Sequence, residues 1–167
     1  MKELSFRNDV LPLKDKLFRL ALRITLNRED AEDMVQETLL RLWRHMQEGR
    51  EIDNAEAMAM TVCRNLCLDH KERMEQRNVS YDEEQHDRAD LTLSPAEQME
   101  SEERFSVLHQ LIDSLPEKQR TALQLRDIEG HSYREIANVM GISESDVKVN
   151  IFRARQKIKY HLLNQKN

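Results

Sequence analysis

Cys63, Cys67 and His70 stand at spacings of four and three residues, which places two sulfur ligands and one nitrogen ligand on one side of a single helix. A zinc centre needs a fourth ligand, and His45 is the available candidate. That same side carries Ala55, Ala59, Val62 and Leu66, the stripe a core would use, and cysteine is among the most buried residue types. The cluster is therefore read as core, and no metal or cofactor is expected. Catalysis has no candidate constellation either. The three glycines, Gly49, Gly130 and Gly141, cannot build a phosphate-cradling loop, no serine occupies a nucleophile elbow, and the histidines are scattered.

The other chemistry-bearing set is cationic. From Lys148 onward the chain carries Lys148, Arg153, Arg155, Lys157, Lys159 and Lys166 and no acidic residue. Ser132 with Glu135, and Ser143 with Asp146, mark two helix starts, and Gly141 lies between them where a chain reversal needs positive φ. The first of these helices turns Tyr133, Ile136, Ala137 and Met140 inward. The second has an apolar stripe of Val147, Ile151, Ala154, Ile158 and Leu162. Two short amphipathic helices about a glycine turn form a helix-turn-helix, and a basic second helix suits a DNA major groove.

The elements that must position these groups are helical throughout. Few glycines and prolines and 5% aromatic residues argue against sheets. A helix is expected from about Pro12 to Leu26, with Leu13, Leu17, Leu20 and Ile24 inward. A second, from about Arg28 to Gln47 behind an Asn27 cap, turns Ala31, Val35, Leu39, Leu42 and Met46 inward. Its opposite face carries Asp33, Gln36, Glu37, Leu40 and Arg44; by pattern alone this is a solvated face with one exposed leucine. A third, capped by Asp53 and running to about Arg77, presents Met58, Thr61, Asn65, Asp69 and Glu72 as an outward strip. Ser94, Pro95 and Glu97 start a further helix with Phe105, Leu108, Leu111 and Ile112 inward, and Leu115–Pro116 separates it from the next, with Ala122, Leu125 and Ile128 inward.

Charge divides the chain. Residues 1–78 hold 14 basic and 15 acidic side chains, residues 79–103 hold 1 and 9, and residues 104–167 hold 11 and 7. The middle, with no apolar periodicity and the run DEEQHDRAD, reads as an acidic flexible linker between two small helical domains. A net charge of −5 is unlike a free-standing DNA binder and suggests that another protein supplies much of the grip. No apolar run approaches the roughly 18 residues that span a bilayer, so membrane insertion is not expected. With no signal-peptide pattern at the start and two close cysteines, a cytoplasmic location is expected.

With these residues in hand, the chain resembles the bacterial RNA polymerase sigma factors of the extracytoplasmic-function (ECF) group. DAEDMVQETLLRLWR at Asp30 to Arg44 is similar to region 2.2, which in the family docks on the clamp helices of the polymerase β′ subunit. AMAMTVCRNLCLDHKER at Ala57 to Arg73 resembles regions 2.3 and 2.4, which recognise and open the minus-10 element. LPEKQRTALQLRDIEGHSYREIANVMGIS and DVKVNIFRARQKI resemble region 4, whose last helix reads the minus-35 element and which meets the β flap.

The resemblance implies an all-α fold of two domains, region 2 over 1–78 and region 4 over 95–167, with the linker over 79–94 entering the polymerase near the RNA exit path. It implies a transcription initiation factor without enzymatic activity, partnered by core polymerase, promoter DNA and, by family habit, an anti-sigma factor. The carried-over sites are Asp33, Gln36, Glu37, Leu40 and Arg44 for core polymerase; Asp53, Asn54, Met58, Asn65, Asp69 and Arg73 for the minus-10 element; and Lys148, Val149, Asn150, Arg153 and Lys157 for the minus-35 element. Lys148, Arg155 and Lys159 fall on the flank suited to phosphates, and Phe152 is expected to pack within its domain.

Two departures from the family stand out. Asp146, Val149 and Asn150 replace the common Thr, Ser and Arg, and Met58 stands where a tryptophan is usual. There is no aromatic residue from Glu48 to Asn78 to stack on a base, and what the resemblance implies for strand opening is a flipped base in a pocket that in the family is lined by the loop equivalent to Glu51 to Asn54, with Asn65 and Asp69 reading its neighbours. The alternative is a helix-turn-helix regulator that works without polymerase.

Overall fold

The computed structural model describes residues 3–77 and 99–165, and every regular element among them is helical. The linker over 79–94 and the cap expected at Ser94, Pro95 and Glu97 lie outside the described residues, as does the side chain of Phe105. A π turn at Phe6–Val10 and a 3₁₀ turn at Leu11–Leu13 lead into α1 (Lys14–Thr25), so the proline expected to open α1 sits one turn ahead of it. There follow α2 (Arg28–Gln47), α3 (Ala55–Arg77), α4 (Met99–Asp113), α5 (Glu117–Leu123), a π turn over Gln124–Ile128, α6 (Tyr133–Met140) and α7 (Glu144–Gln165).

Local chemistry sets the ends. Asn27 accepts from the Asp30 amide at 2.9 Å and starts α2. Ser132 accepts from the Glu135 amide while Glu135 accepts from the Ser132 amide, a complete capping box at α6. Gly141 ends α6 at φ 67, a left-handed conformation that costs glycine nothing and any β-carbon residue something; open space surrounds the position, so the dihedral alone selects glycine. The cap of α3 is Asn54, whose side-chain oxygen accepts from the Ala57 amide at 3.0 Å, not Asp53 as the spacing to Glu56 suggested. The helix begins at Ala55, so only Asn54 is one residue before it.

Leu17, Leu20 and Ile24 of α1, Ala31, Val35 and Leu42 of α2, and Ala59, Cys63 and Cys67 of α3 are buried together. This cluster continues without a break into Leu125, Ile136, Met140 and Val147 of the second unit, so the two helical units share one apolar seam where α1 meets α5 and α3 meets α6. A satellite core of Ile112, Leu115, Leu123 and Ala154 joins α4, α5 and α7.

Two expected core positions face out. Ile128 is 50% exposed because the backbone over Gln124–Ile128 takes the wider π spacing, which inserts a residue into the turn and rotates Ile128 off the inward line that Leu125 keeps. Leu162 is 38% exposed because the buried stripe of α7 ends with Ala154 and half-buried Ile158, beyond which α7 runs past the end of its support.

Candidate functional site

Three exposed faces carry the groups singled out in the sequence. On α2, Asp33, Gln36, Leu40 and Arg44 are exposed, and Glu37 is half-buried with its carboxylate 3.8 Å from Arg41. Leu40 is 47% exposed and Trp43, one turn on, is 44% exposed, its ring standing edge-on to Phe6 at 5.3 Å. Trp43 therefore extends the face with a second apolar side chain, held in place by the N-terminal turn. Sequence reading omitted it because it falls between the inward stripe and the outward one.

On α3 the outward strip is present as expected. Asn65 and Asp69 are exposed, while Met58 and Thr61 are half-buried. The Thr61 hydroxyl is occupied by the Ala57 carbonyl at 2.9 Å. Arg73 is exposed near the C-terminal end but rotated off the strip, and Asp53 and Asn54 lie exposed at the N-terminal end, with the Asn54 oxygen committed to its cap. The opposite side of α3 is core, and its flank meets the other unit. Arg64, 6% exposed, lies on that flank: its Nε and Nη2 donate to both Glu117 carboxylate oxygens at 3.2 and 3.0 Å, and its Nη1 donates to the Met140 carbonyl at 3.2 Å. A bidentate buried pair fixes the azimuth of α3 relative to α5 and α6.

Cys63 and Cys67 are free thiols within the core. Their mutual hydrogen bond, with burial second, holds the Cys67 thiol far above its ordinary range. Both facts belong to packing. His70 instead approaches Asp30 at 3.2 Å, and among the described residues no group of three or more ligand side chains is gathered for a metal.

On α7 the sides sort clearly. Val149 and Phe152 are 43% and 62% exposed, with Arg153 and Lys157 exposed alongside. Phe152 does not pack within its domain: it lies near the pole opposite the buried Val147, Ile151 and Ala154. Asn150 is half-buried, and its Nδ2 donates to the Asp146 carbonyl at 2.8 Å, which turns the amide back onto its own helix. Lys148 sits with its ammonium 5.3 Å over the Tyr133 ring. Arg155, expected on the phosphate flank, is instead paired with Asp127 at 2.5 and 3.1 Å, and that hydrogen bonding raises its pKa further. Gln156, exposed and on the same arc as Val149, was passed over because it carries no charge.

A fourth surface was not anticipated. Leu108, Ile112, Leu123, Ile128, Ile158 and Leu162 line an open apolar groove of about 490 Å³ between α4, the π turn and the end of α7. The two core residues displaced outward, Ile128 and Leu162, both belong to it.

The chain is similar to known proteins over most of its length. The family model for Sigma-70 region 2 matches residues 10–77, and that for Sigma-70, region 4 matches residues 105–158. The ECF RNA polymerase sigma factor SigE of Mycolicibacterium smegmatis is 34% identical over 89% of this chain, which spans 58% of that relative's length. The ECF RNA polymerase sigma factor SigM of Bacillus subtilis is 31% identical over 86% of this chain and 86% of its own length. Among solved structures, the sigma factor RpoE of Bartonella quintana, crystallised in complex with the anti-sigma factor NepR, superimposes with a TM-score of 0.70 at 24% identity, covering 94% of this chain and 96% of that one; this likeness establishes the fold. The chain belongs to the ECF group of RNA polymerase sigma factors, non-enzymatic transcription initiation factors that bind core polymerase and promoter DNA.

Proposed function

We infer that each exposed face has one task within the polymerase holoenzyme. The α2 face of Asp33, Gln36, Glu37, Leu40 and Arg44, extended by Trp43, docks on the β′ clamp helices. The α3 strip, with Asp53 and Asn54 at its head, Met58, Asn65 and Asp69 along it and Arg73 beyond, takes the minus-10 strand. The α7 arc of Val149, Arg153 and Lys157, flanked by Lys148 and Asn150, enters the major groove at the minus-35 element. The apolar groove that exposes Ile128 and Leu162 suits a helix of the β flap. Region 2 over 1–78 and region 4 over 95–167 are joined by the acidic segment 79–94, whose composition fits a basic nucleic-acid channel in the polymerase. An anti-sigma factor, as bound by the sigma factor RpoE of Bartonella quintana, would compete for these surfaces, and the chain would act in the cytoplasm, where the polymerase is.

The observation carrying this reading is the apolar centre of Leu40 and Trp43, exposed on a face otherwise polar, on a chain whose net charge of −5 gives poor DNA affinity alone. Run-off transcription with and without added core polymerase tests it. Promoter-specific transcripts are expected only with core; tight specific DNA binding by the free chain, with no transcript when core is added, would favour the polymerase-independent regulator.

A further inference from the structure

The outer arc of α7 holds an apolar pair amid cations. Val149 and Phe152 are three residues apart and hence neighbours on one face, 43% and 62% exposed, while Val147, Ile151 and Ala154 on the opposite side are at most 1% exposed. Arg153 and Lys157 border the pair, Lys148 stands on its other flank, and no acidic residue follows Asp146. Such a rim selects a polyanion, and a helix of this kind meets DNA in the major groove.

Every base pair presents hydrogen-bond donors and acceptors in that groove, and the one apolar feature there is the thymine 5-methyl. An apolar pair pressed against any other base edge would desolvate polar atoms without pairing them. Asn150, the residue type suited to adenine, has its amide donating to the Asp146 carbonyl. In the first two turns of the arc, recognition is thereby left to side chains without hydrogen-bonding groups, the exposed amide of Gln156 lying one turn beyond Phe152.

We propose that Val149 and Phe152 clasp a thymine 5-methyl in the minus-35 element, with Phe152 setting the requirement for thymine at that position. This rests on the assignment of α7 to the minus-35 element. Arg153, one turn on from Val149 and beside it on the arc, fixes the depth of the helix in the groove by pairing with a phosphate or an adjacent guanine.

The test uses the reconstituted holoenzyme and a DNA library randomised across both promoter elements, followed by replacement of each selected upstream thymine with uracil, which deletes only the methyl. Wild type should select an upstream thymine, and uracil there should weaken retention about fourfold, the equivalent of one buried methyl. Phe152→Ala should lose both the preference and the sensitivity to uracil while keeping core binding and the downstream motif, and Phe152→Leu should restore part of both. Because Phe152 is exposed, the thermal midpoint should be unchanged. An upstream motif without thymine, or uracil sensitivity that survives in Phe152→Ala, overturns the proposal and leaves the minus-35 assignment standing. Loss of core binding in Phe152→Ala would show a protein contact instead, and absence of any upstream motif overturns both.

Discussion

Arg120 donates its Nε to the main-chain carbonyl of Arg23, and its Nη2 reaches the next carbonyl, Ile24, at 3.3 Å. A guanidinium from region 4 thus satisfies two carbonyls at the C-terminal end of α1 in region 2, where a helix leaves acceptors unpaired and favours a cation. Its Nη1 simultaneously donates to the Leu115 carbonyl at 2.6 Å, at the junction of α4 and α5. With 3% of Arg120 exposed, no water can take over these bonds. Arg120→Ala should therefore lower unfolding free energy by about 3 kcal/mol, the scale for charged hydrogen bonds lost in a buried site. Arg120→Lys should recover little, because one ammonium cannot serve acceptors arranged around a planar fork. Denaturant unfolding measures both.

Arg64 and Glu117 make the second cross-unit contact, with side chains 7% and 18% exposed. Glu117→Gln leaves a buried guanidinium half-paired, so it should open the interface at a cost of about 3 kcal/mol, while Arg64→Met with Glu117→Leu should recover most of that loss. The consequence reaches function. The minus-10 and minus-35 elements are about 25 base pairs apart, roughly 85 Å of duplex at 3.4 Å per pair, whereas a packed chain of this length is only about 40 Å across. On the proposed assignment of α3 to the minus-10 element and α7 to the minus-35 element, the units must part before both elements are held. Small-angle scattering should show a larger radius of gyration for Glu117→Gln than for wild type, and the variant should bind core polymerase at least as fast; an unchanged radius would mean that the remaining contacts suffice for closure.

How much of this was legible in sequence differs by element. The α2 helix was readable to its ends because Asn27 caps it and one face alone is buried. The amphipathic pattern of α3 was harder to use because about half its circumference is covered, by its own core on one side and by α6 on the other, so the buried arc includes the charged Arg64. Arg120 was invisible for a related reason: periodicity assigns arginine to the surface, and its acceptors, the carbonyls of Arg23 and Ile24, lie 97 and 96 residues away. Ile128 was misplaced by a π turn that no residue type announces. Spacing alone indicates which positions of the three faces are exposed, but hydrogen bonding commits Arg155 to Asp127 and folds the Asn150 amide back onto the Asp146 carbonyl, and neither bond follows from spacing.

The exposed edge of the closed interface is pH-sensitive in one direction. Arg19 donates to both Glu129 oxygens at 2.6 and 2.9 Å, and this hydrogen bonding holds the Glu129 carboxyl below its ordinary value of 4.5. The unfolded carboxyl titrates at the higher value, so the contribution is fully present above about pH 4.5 and is lost as pH falls through the lower folded value. The stability difference between wild type and Glu129→Gln should be constant from pH 7 to 5 and shrink as the pH falls below that range. Because Arg19 is 46% exposed, added salt should reduce it as well.

The α2 face and the α7 arc should fail separately. Leu40→Asp places a charge at the apolar centre of an exposed face without disturbing the core, since Leu40 is 47% exposed. It should weaken core binding by about 2 kcal/mol, close to thirtyfold, and leave the thermal midpoint within a degree or two. Arg153→Ala should keep core binding and lower only transcription that depends on the minus-35 element, by about tenfold if Arg153 pairs with a guanine and by less, with a shallower salt dependence, if it meets a phosphate. Holoenzyme assembly measured by fluorescence anisotropy, alongside run-off yields from promoters with intact and scrambled upstream elements, separates the two. Loss of assembly in Arg153→Ala would reassign α7 from DNA to the polymerase, because the side chain is exposed and its removal costs the fold nothing.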